Sequence, residues 1–328
     1  MKPLMTIIIP AFNVENYIKK CIDSLKEQSF QDYEVIIVDD GSTDNTLKVI
    51  NKNIDDRFKV ISQKNSGAGY ARNAGISLSK GKYIGFMDSD DFLYDKKCLE
   101  KLAKTMIEQD CDIITYKMVR YYDLKNSFLE EDNITAKNTL FTNVSEYLEL
   151  TIKNSRLSVS PCDKFIKSSI LKKNKVFFEN YAMLEDVDWS LSVFTYAKSI
   201  YVLNEPIYVY RKQRAGSTTS FYNFNKVKSC YDIIKKWCDY CKGRKYGQLY
   251  LNYISYQYII LLAAINKNNC RKELKVKLKK YSYLLHYSEN FKVRLAEKIY
   301  KLFGYNMMIL VLKAYIFLKD KNVILIRR

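Results

Sequence analysis

The stretch EVIIVDDGSTD, residues 34–44, decides the fold: an apolar, β-branched run ends abruptly in two aspartates, a glycine and small polar residues. A short continuous apolar run of this kind is typical of a strand that is buried on both faces. The glycine and the polar residues then favour a loop. The stretch therefore predicts a buried strand whose carboxyl end carries acidic side chains.

The same pattern recurs on either side of this stretch. Apolar runs at 4–9, 58–62 and 82–88 each lead into a polar segment, namely PAFN, QKNSGAGYARN and DSDD. Helical periodicity separates the runs over residues 14–28, 43–53, 66–79 and 95–109. Alternating strands and helices predict an α/β fold with a mostly parallel central sheet. Because ligands of such sheets bind beyond the carboxyl ends of the strands, the polar segments are expected to form one site.

The segment DSDD, residues 88–91, packs three carboxylates into four positions. Oxygen ligands of this kind suit hard divalent cations such as Mg²⁺ or Mn²⁺, and substrate phosphates usually complete the coordination. Taken alone, the motif favours a solvated acidic turn that caps the next helix. The polar segments at the neighbouring strand ends favour the metal.

Together the motifs PAFN (10–13), VDDGSTD (38–44), QKNSGAGYARNAGI (63–76) and MDSDD (87–91) resemble those of family 2 glycosyltransferases. The resemblance covers about residues 3–215. It implies the GT-A fold and an inverting enzyme that uses a nucleotide-sugar donor. It also implies roles for individual residues: Pro10 and Phe12 against the nucleobase, Asp40 on the uracil edge, Arg72 on the nucleotide, Asp88 near ribose and metal, and Asp90 as a ligand of a Mn²⁺ or Mg²⁺ ion that bridges the diphosphate.

Inverting transfer also needs a base, because the acceptor hydroxyl must lose its proton as it attacks. Asp186, in MLEDVDW, matches the position of the base in the family. From the residues alone, Glu185 and Asp188 compete for the role. All three can also be ordinary acids of a first helical turn, where they complement the helix dipole.

Further positions around the site are suggested by the resemblance. Lys164, in PCDKFIKSSIL, is expected to face the donor or the acceptor. Trp189 can line an acceptor surface or pack in the core. The segment YRKQRAGSTTS offers candidates for contact with the diphosphate, where the fork of arginine suits phosphate: Arg211, Arg214 and Ser217.

The C-terminal third has a different character. Of the net charge of +18, residues 1–215 carry +1 and residues 216–328 carry +17. This shift predicts a catalytic domain over 1–215 and a basic helical region over 216–328. The apolar run 302–318 contains Lys313 and is short for a membrane span, so an interfacial or buried helix is expected. The basic charge favours an anionic membrane surface as the partner, and no nucleic-acid recognition motif accompanies it.

The resemblance and these features together predict a metal-dependent, inverting glycosyltransferase, and the resemblance implies that its donor is a UDP-sugar. Its expected acceptor is a lipid-linked glycan in surface polysaccharide synthesis, such as capsule, at the cytoplasmic face of the membrane. Two alternatives stay open. A sugar nucleotidyltransferase would share the sheet and the acidic ligands, although its usual Gly-rich loop is absent after the first strand. A non-catalytic protein that binds nucleotide or membrane is the other.

Overall fold

A mixed sheet organises the first part of the chain. The structure, a computed structural model, describes residues 2–122, 127–130, 137–212, 224–265 and 272–325. Within these ranges ten strands join in one sheet. The strands are β1 Met5–Ala11, β2 Tyr33–Asp39, β3 Phe58–Ser62, β4 Tyr83–Phe86, β5 Phe92–Leu93, β6 Ile113–Tyr122, β7 Ser127–Glu130, β8 Thr139–Phe141, β9 Lys164–Lys167 and β10 Ile200–Lys212.

The strand order is β3-β2-β1-β4-β9-β6-β10-β5, with β7 beside β6 and β8 beside β10. The strands β1 to β4 pair in parallel, which confirms the arrangement expected from their apolar runs. β9 runs antiparallel between β4 and β6, so the whole sheet is mixed. β10 is one strand with shifts in register around Pro206, whereas its sequence suggests two strands joined at 204–206. Proline cannot donate a ladder hydrogen bond, and here it produces a bulge without ending the strand.

Helices connect the strands, and the predicted ones are present with small shifts at their ends. They are α1 Ile18–Lys26, α2 Thr46–Asn53, α3 Ala68–Leu78, α4 Cys98–Gln109, α5 Val144–Lys153, α6 Ser168–Lys173 and α7 Glu185–Tyr196. α3 lies directly against β1. A methyl group added at Gly75 would come within 2.3 Å of Cγ2 of Ile8, so the glycine permits this close approach of helix and sheet.

The described residues divide into two compact units. The first takes in those of Met1–Tyr147, Ser158–Asn180 and Glu185–Ser217, and contains the sheet. The second takes in those of Leu148–Leu157, Tyr181–Leu184 and Thr218–Arg328. The change in charge near residue 215 gives no sign of the two short segments that the second unit draws from earlier in the chain.

The second unit is helical beyond residue 224, as the sequence predicts. Its helices are α8 Phe224–Tyr240, α9 Gly247–Ala264, α10 Lys272–Lys279 and α11 Phe291–Leu325. Buried residues lie all around α9, which is therefore a core helix. α11 is interrupted at Gly304, whose φ of 79° is not helical. No described helix has the combined length and hydropathy of a membrane-crossing segment.

Candidate active site

Three neighbouring parallel strands bring the predicted nucleotide residues to one edge of the sheet. β1 ends just before Phe12, β2 just before Asp40, and β4 two residues before Asp88. Because these strands are adjacent and parallel, their carboxyl ends meet at the same edge. Phe12 is 41% exposed there, whereas Pro10 is buried within β1. The open aromatic face at this edge is therefore that of Phe12.

Asp40 organises the loop that leads into α3. Its side chain is only 3% exposed. The carboxylate accepts hydrogen bonds from the backbone amides of Ser66 and Gly67, at 2.9 and 2.7 Å, and from the side-chain Nε2 of Gln63, at 2.7 Å. A carboxylate has about four lone-pair directions, so one stays open after these bonds. The predicted contact of Asp40 with uracil depends on that single direction.

Arg72 lies at the centre of the site. It is 5% exposed, and its guanidinium donates from Nη2 to Oδ1 of Asp88 at 2.9 Å and from Nη1 to Oδ1 of Asp186 at 3.4 Å. The guanidinium also lies 5.2 Å from the ring centre of Phe178. Burial by itself lowers the pKa of Arg72, but Asp88 and Asp186 raise it above its usual value. One buried cation thus joins a predicted nucleotide residue to the predicted base.

Asp186 stands in the first turn of α7, next to Glu185. Its side chain is 38% exposed. Partial burial, followed by the charges of Glu185 and Asp88, raises the pKa of Asp186 to about 6, while Arg72 and Lys164 act in the opposite direction. A base works best when its pKa is near the operating pH. Asp188 is buried, so Asp186 is the better placed of the two to accept a proton from a ligand.

The acidic turn after β4 is held by Tyr208 and Arg211 of β10. The hydroxyl of Tyr208 donates to Oδ2 of Asp91 at 2.6 Å and accepts from the amide of Asp88 at 3.0 Å. The amide of Arg211 donates to Oδ1 of Asp91 at 2.8 Å, and its Nε donates to the carbonyl of Asp90 at 2.8 Å. Asp91 is therefore a structural residue of the turn. Burial, with the charges of Asp88 and Asp90, raises the pKa of Asp91 well above its usual value.

The chemistry of this turn fits an open cation site. In the described part of the chain, no group of three or more His, Cys, Asp or Glu side chains is placed to enclose a metal ion. Asp91 is bound by Tyr208 and by the amide of Arg211, and the other two carboxylates of the turn are Asp90 and Asp88, whose Oδ1 accepts from Arg72. Two carboxylates, completed by water and substrate phosphates, are the usual protein contribution to a Mg²⁺ site.

Two further predicted residues are buried. Trp189 is fully buried, stacks on Phe178 with ring centres 4.6 Å apart, and meets Phe86 edge to face. Of the two alternatives for Trp189, the structure therefore favours packing in the core. Lys164 is 1% exposed and forms an ion pair with Asp163, so its influence on the site is electrostatic.

The diphosphate candidates divide between described and undescribed parts of the chain. Arg211 is 9% exposed, and its guanidinium lies 5.2 Å from the ring centre of Tyr17 and 5.7 Å from that of Phe92. Its amide and Nε hold the acidic turn in place through the bonds to Asp91 and Asp90 described above. Arg214 and Ser217 lie outside the described residues.

Phe178 and Asn73 are site residues that sequence reasoning missed. The side chain of Asn73 donates to the carbonyl of Phe178 and accepts from its amide, both at 2.8 Å. These bonds place the ring of Phe178 between Arg72 and Trp189. Asn73 belongs to the quoted segment 63–76, but nothing in the sequence near residue 178 signals its partner.

Comparison with known proteins identifies glycosyltransferases with similar sequences. The chain is 26% identical over 248 residues to "Glycosyltransferase GlyG" of Streptococcus pneumoniae, covering 74% of this chain and 81% of that one. It is 30% identical over 225 residues to "Poly(ribitol-phosphate) beta-N-acetylglucosaminyltransferase TarS" of Staphylococcus aureus, covering 66% of this chain but 36% of TarS.

The fold is shared with a solved structure. The crystal structure of S. aureus TarS 1-349 in complex with UDP-GlcNAc superposes with a TM-score of 0.62 at 24% identity, covering 88% of this chain and 79% of that one. This likeness confirms the expected GT-A fold. The sequence profile described as "Glycosyl transferase family 2" matches residues 6–173, about half of the chain. The chain therefore belongs to glycosyl transferase family 2.

Proposed function

We propose that this protein is a metal-dependent, inverting glycosyltransferase that moves a sugar from a UDP-sugar to a hydroxyl of a lipid-linked glycan. The observation that carries the proposal is the network around Arg72, which joins Asp88 at 2.9 Å and Asp186 at 3.4 Å at the carboxyl edge of the parallel strands. Membership of the family supports the reaction class. The complex of TarS with UDP-GlcNAc supports the choice of UDP.

Four residues of the site bind the donor and one accepts the proton of the acceptor. Phe12 offers its exposed ring to the nucleobase, and the remaining lone pair of Asp40 accepts from the base edge. Asp88 and Asp90 would hold a Mn²⁺ or Mg²⁺ ion, which would supply positive charge to stabilise the departing UDP. Asp186 accepts the proton of the acceptor hydroxyl on the face opposite the leaving group. A pKa of about 6 leaves most of this carboxylate ionised near neutral pH.

The setting is surface polysaccharide synthesis at the cytoplasmic face of the membrane. The basic charge of residues 216–328 supports attraction to anionic lipid, because each lysine or arginine near such a surface contributes about 1 kcal/mol. The name of TarS, a poly(ribitol-phosphate) beta-N-acetylglucosaminyltransferase, supports a polymer acceptor. A lipid carrier would keep such an acceptor at the membrane.

Calorimetric titration with UDP, with and without Mn²⁺, tests the proposal. Wild type is expected to bind UDP more tightly with Mn²⁺, and Asp90→Ala is expected to lose that increment. Asp186→Ala should keep UDP binding but lose sugar transfer. Asp56→Ala removes an exposed carboxylate elsewhere and serves as the matched control. Failure of wild type to bind UDP under either condition, or full transfer by Asp186→Ala, would overturn the assignment.

A further inference from the structure

A cavity of about 400 Å³ lies between α9, α10 and α11 in the second unit. Its volume falls within the range of roughly 300–1,000 Å³ that is usual for small-ligand sites. Much of its wall is aliphatic, Tyr305 and Asn306 add polar groups, and one lysine each comes from α10 and α11. The lining residues that matter here are Leu262, Ile265, Ile309, Leu310, Lys275 and Lys313.

The two lysines give the cavity an uncompensated positive charge. Neither Lys275 nor Lys313 has a carboxylate partner among the residues that the structure describes. Burial, followed by repulsion from Lys275, lowers the pKa of Lys313. By contrast, Lys277 on the same helix pairs with Glu273 at 2.6 Å. An anion placed between Lys275 and Lys313 would satisfy both cations.

The cavity adjoins an exposed apolar stripe on α11. Beyond the break at Gly304, Met307, Leu310 and Val311 are spaced as neighbours on one helical face, and all three are exposed. Met307 and Leu310 belong both to the stripe and to the wall of the cavity. An apolar helical face flanked by lysines is the usual form of a helix that lies in a membrane interface. The cavity is thus continuous with the surface that would meet lipid.

We infer that this cavity binds one anionic phospholipid of the bilayer, with its phosphate between Lys275 and Lys313 and part of its acyl chain against Leu262, Ile265 and Ile309. The charge of the lysines selects the headgroup, and the aliphatic wall selects the chain. The inference deepens the membrane association proposed above. It does not depend on sugar transfer, because every residue involved lies in the second unit.

Native mass spectrometry of the 328-residue chain, released from detergent with phosphatidylglycerol or phosphatidylcholine, tests this site. Wild type is expected to retain one phosphatidylglycerol in preference to phosphatidylcholine. Lys275→Gln/Lys313→Gln should weaken retention by roughly 30-fold. The control Lys277→Gln/Lys280→Gln removes the same number of lysines from positions outside the cavity wall and should retain the lipid. Ile309→Trp keeps all charges but fills the cavity, and it should also lose the lipid.

Each contrary result has a distinct meaning. Equal retention of the two lipids, or an equal loss in both double variants, would overturn the site in favour of diffuse attraction. Displacement of the lipid by inorganic phosphate at comparable concentration would show that the acyl chain contributes nothing, and would also overturn it. Asp186→Ala should retain the lipid. Loss of lipid in the cavity variants with unchanged UDP binding separates this site from the proposed catalytic one.

Discussion

Replacement of Arg72 by methionine should move the pH dependence of catalysis to higher pH. Methionine keeps much of the volume of the arginine stem but removes the cation that lies 3.4 Å from Asp186. That cation lowers the pKa of Asp186, against the effects of burial, Glu185 and Asp88. Without it, the carboxyl binds its proton more tightly. The base is then ionised only at higher pH.

The distance sets the size of the effect. Two unit charges 3.4 Å apart interact by about 1 kcal/mol in bulk water and about 5 kcal/mol at an effective dielectric constant of 20. Because the side chain of Asp186 is 38% exposed, solvent screening places the value toward the lower limit, at about 1–2 kcal/mol. One pKa unit corresponds to about 1.4 kcal/mol. The acidic limb of the profile should therefore move from about pH 6 to about pH 7.

The measurement is the pH dependence of kcat/KM for the donor, which reports the ionisations of the free enzyme. Release of UDP from the UDP-sugar found by a donor screen supplies the rate. The position of the limb can be read even if the variant is slower overall. Carbon-detected NMR titration of the aspartate carboxyls, assigned with Asp186→Asn, gives the same pKa without turnover.

Glu185→Gln supplies a test of opposite sign. The charge of Glu185 raises the pKa of Asp186, so its removal should move the limb below pH 6. Arg57→Met removes an arginine that pairs with Asp55 away from the site, and should leave the limb in place. A limb that does not move in Arg72→Met, or that moves in the same direction in both site variants, would refute the assignment of Asp186 as the base.

Three further predictions concern the stability of the fold in and around the site. Tyr208→Phe removes the hydroxyl that bonds to Asp91, so it should lower the unfolding free energy by about 1–3 kcal/mol and weaken Mn²⁺-dependent UDP binding in calorimetry. The control Tyr33→Phe, which loses a bond to the carbonyl of Leu25, should lower stability without changing UDP binding. Gly75→Ala should cost about 1–3 kcal/mol in denaturant unfolding because of the 2.3 Å approach to Ile8, and Ser77→Ala on the exposed face of α3 should cost little. The folded pKa of Asp186, about 6, lies above the unfolded value of about 3.9, so this carboxyl makes wild-type stability fall as pH rises between them. Asp186→Asn lacks that ionisation, so thermal melts should show its Tm rising relative to that of wild type between pH 4 and pH 8, whatever the loss of the Arg72 contact costs at both pH values.

The parallel half of the sheet could be predicted from the sequence because each strand carries its own signal. Runs such as those of β1 and β2 are apolar at nearly every position and end at a polar segment, so strand type, direction and the location of the site all follow locally. β9 had no such signal. Its four residues, Lys164–Lys167, become a strand because β4 and β6 flank them, and that pairing is a property of the fold.

The supporting contacts of the site could not be predicted for the same reason. Tyr208 bonds to Asp91 across 117 residues, and Asn73 brackets Phe178 across 105 residues. In the sequence, a hydroxyl or an amide that forms such a long-range contact cannot be distinguished from any other polar group. For Asp40, the sequence predicts the position at the end of β2. It does not predict the hydrogen bonds by which the carboxylate holds the loop before α3.

The burial of Arg72 explains why the site can be ordered before any donor binds. A guanidinium that is 5% exposed requires negative partners, since an unpaired buried charge costs several kcal/mol. Asp88 and Asp186 meet that need from two elements that are far apart in the chain, one after β4 and one in α7. The same contacts that stabilise the arginine therefore fix the separation between the proposed nucleotide side and the proposed base. Because the three side chains share one network, changes at Asp88 and Asp186 should not act independently.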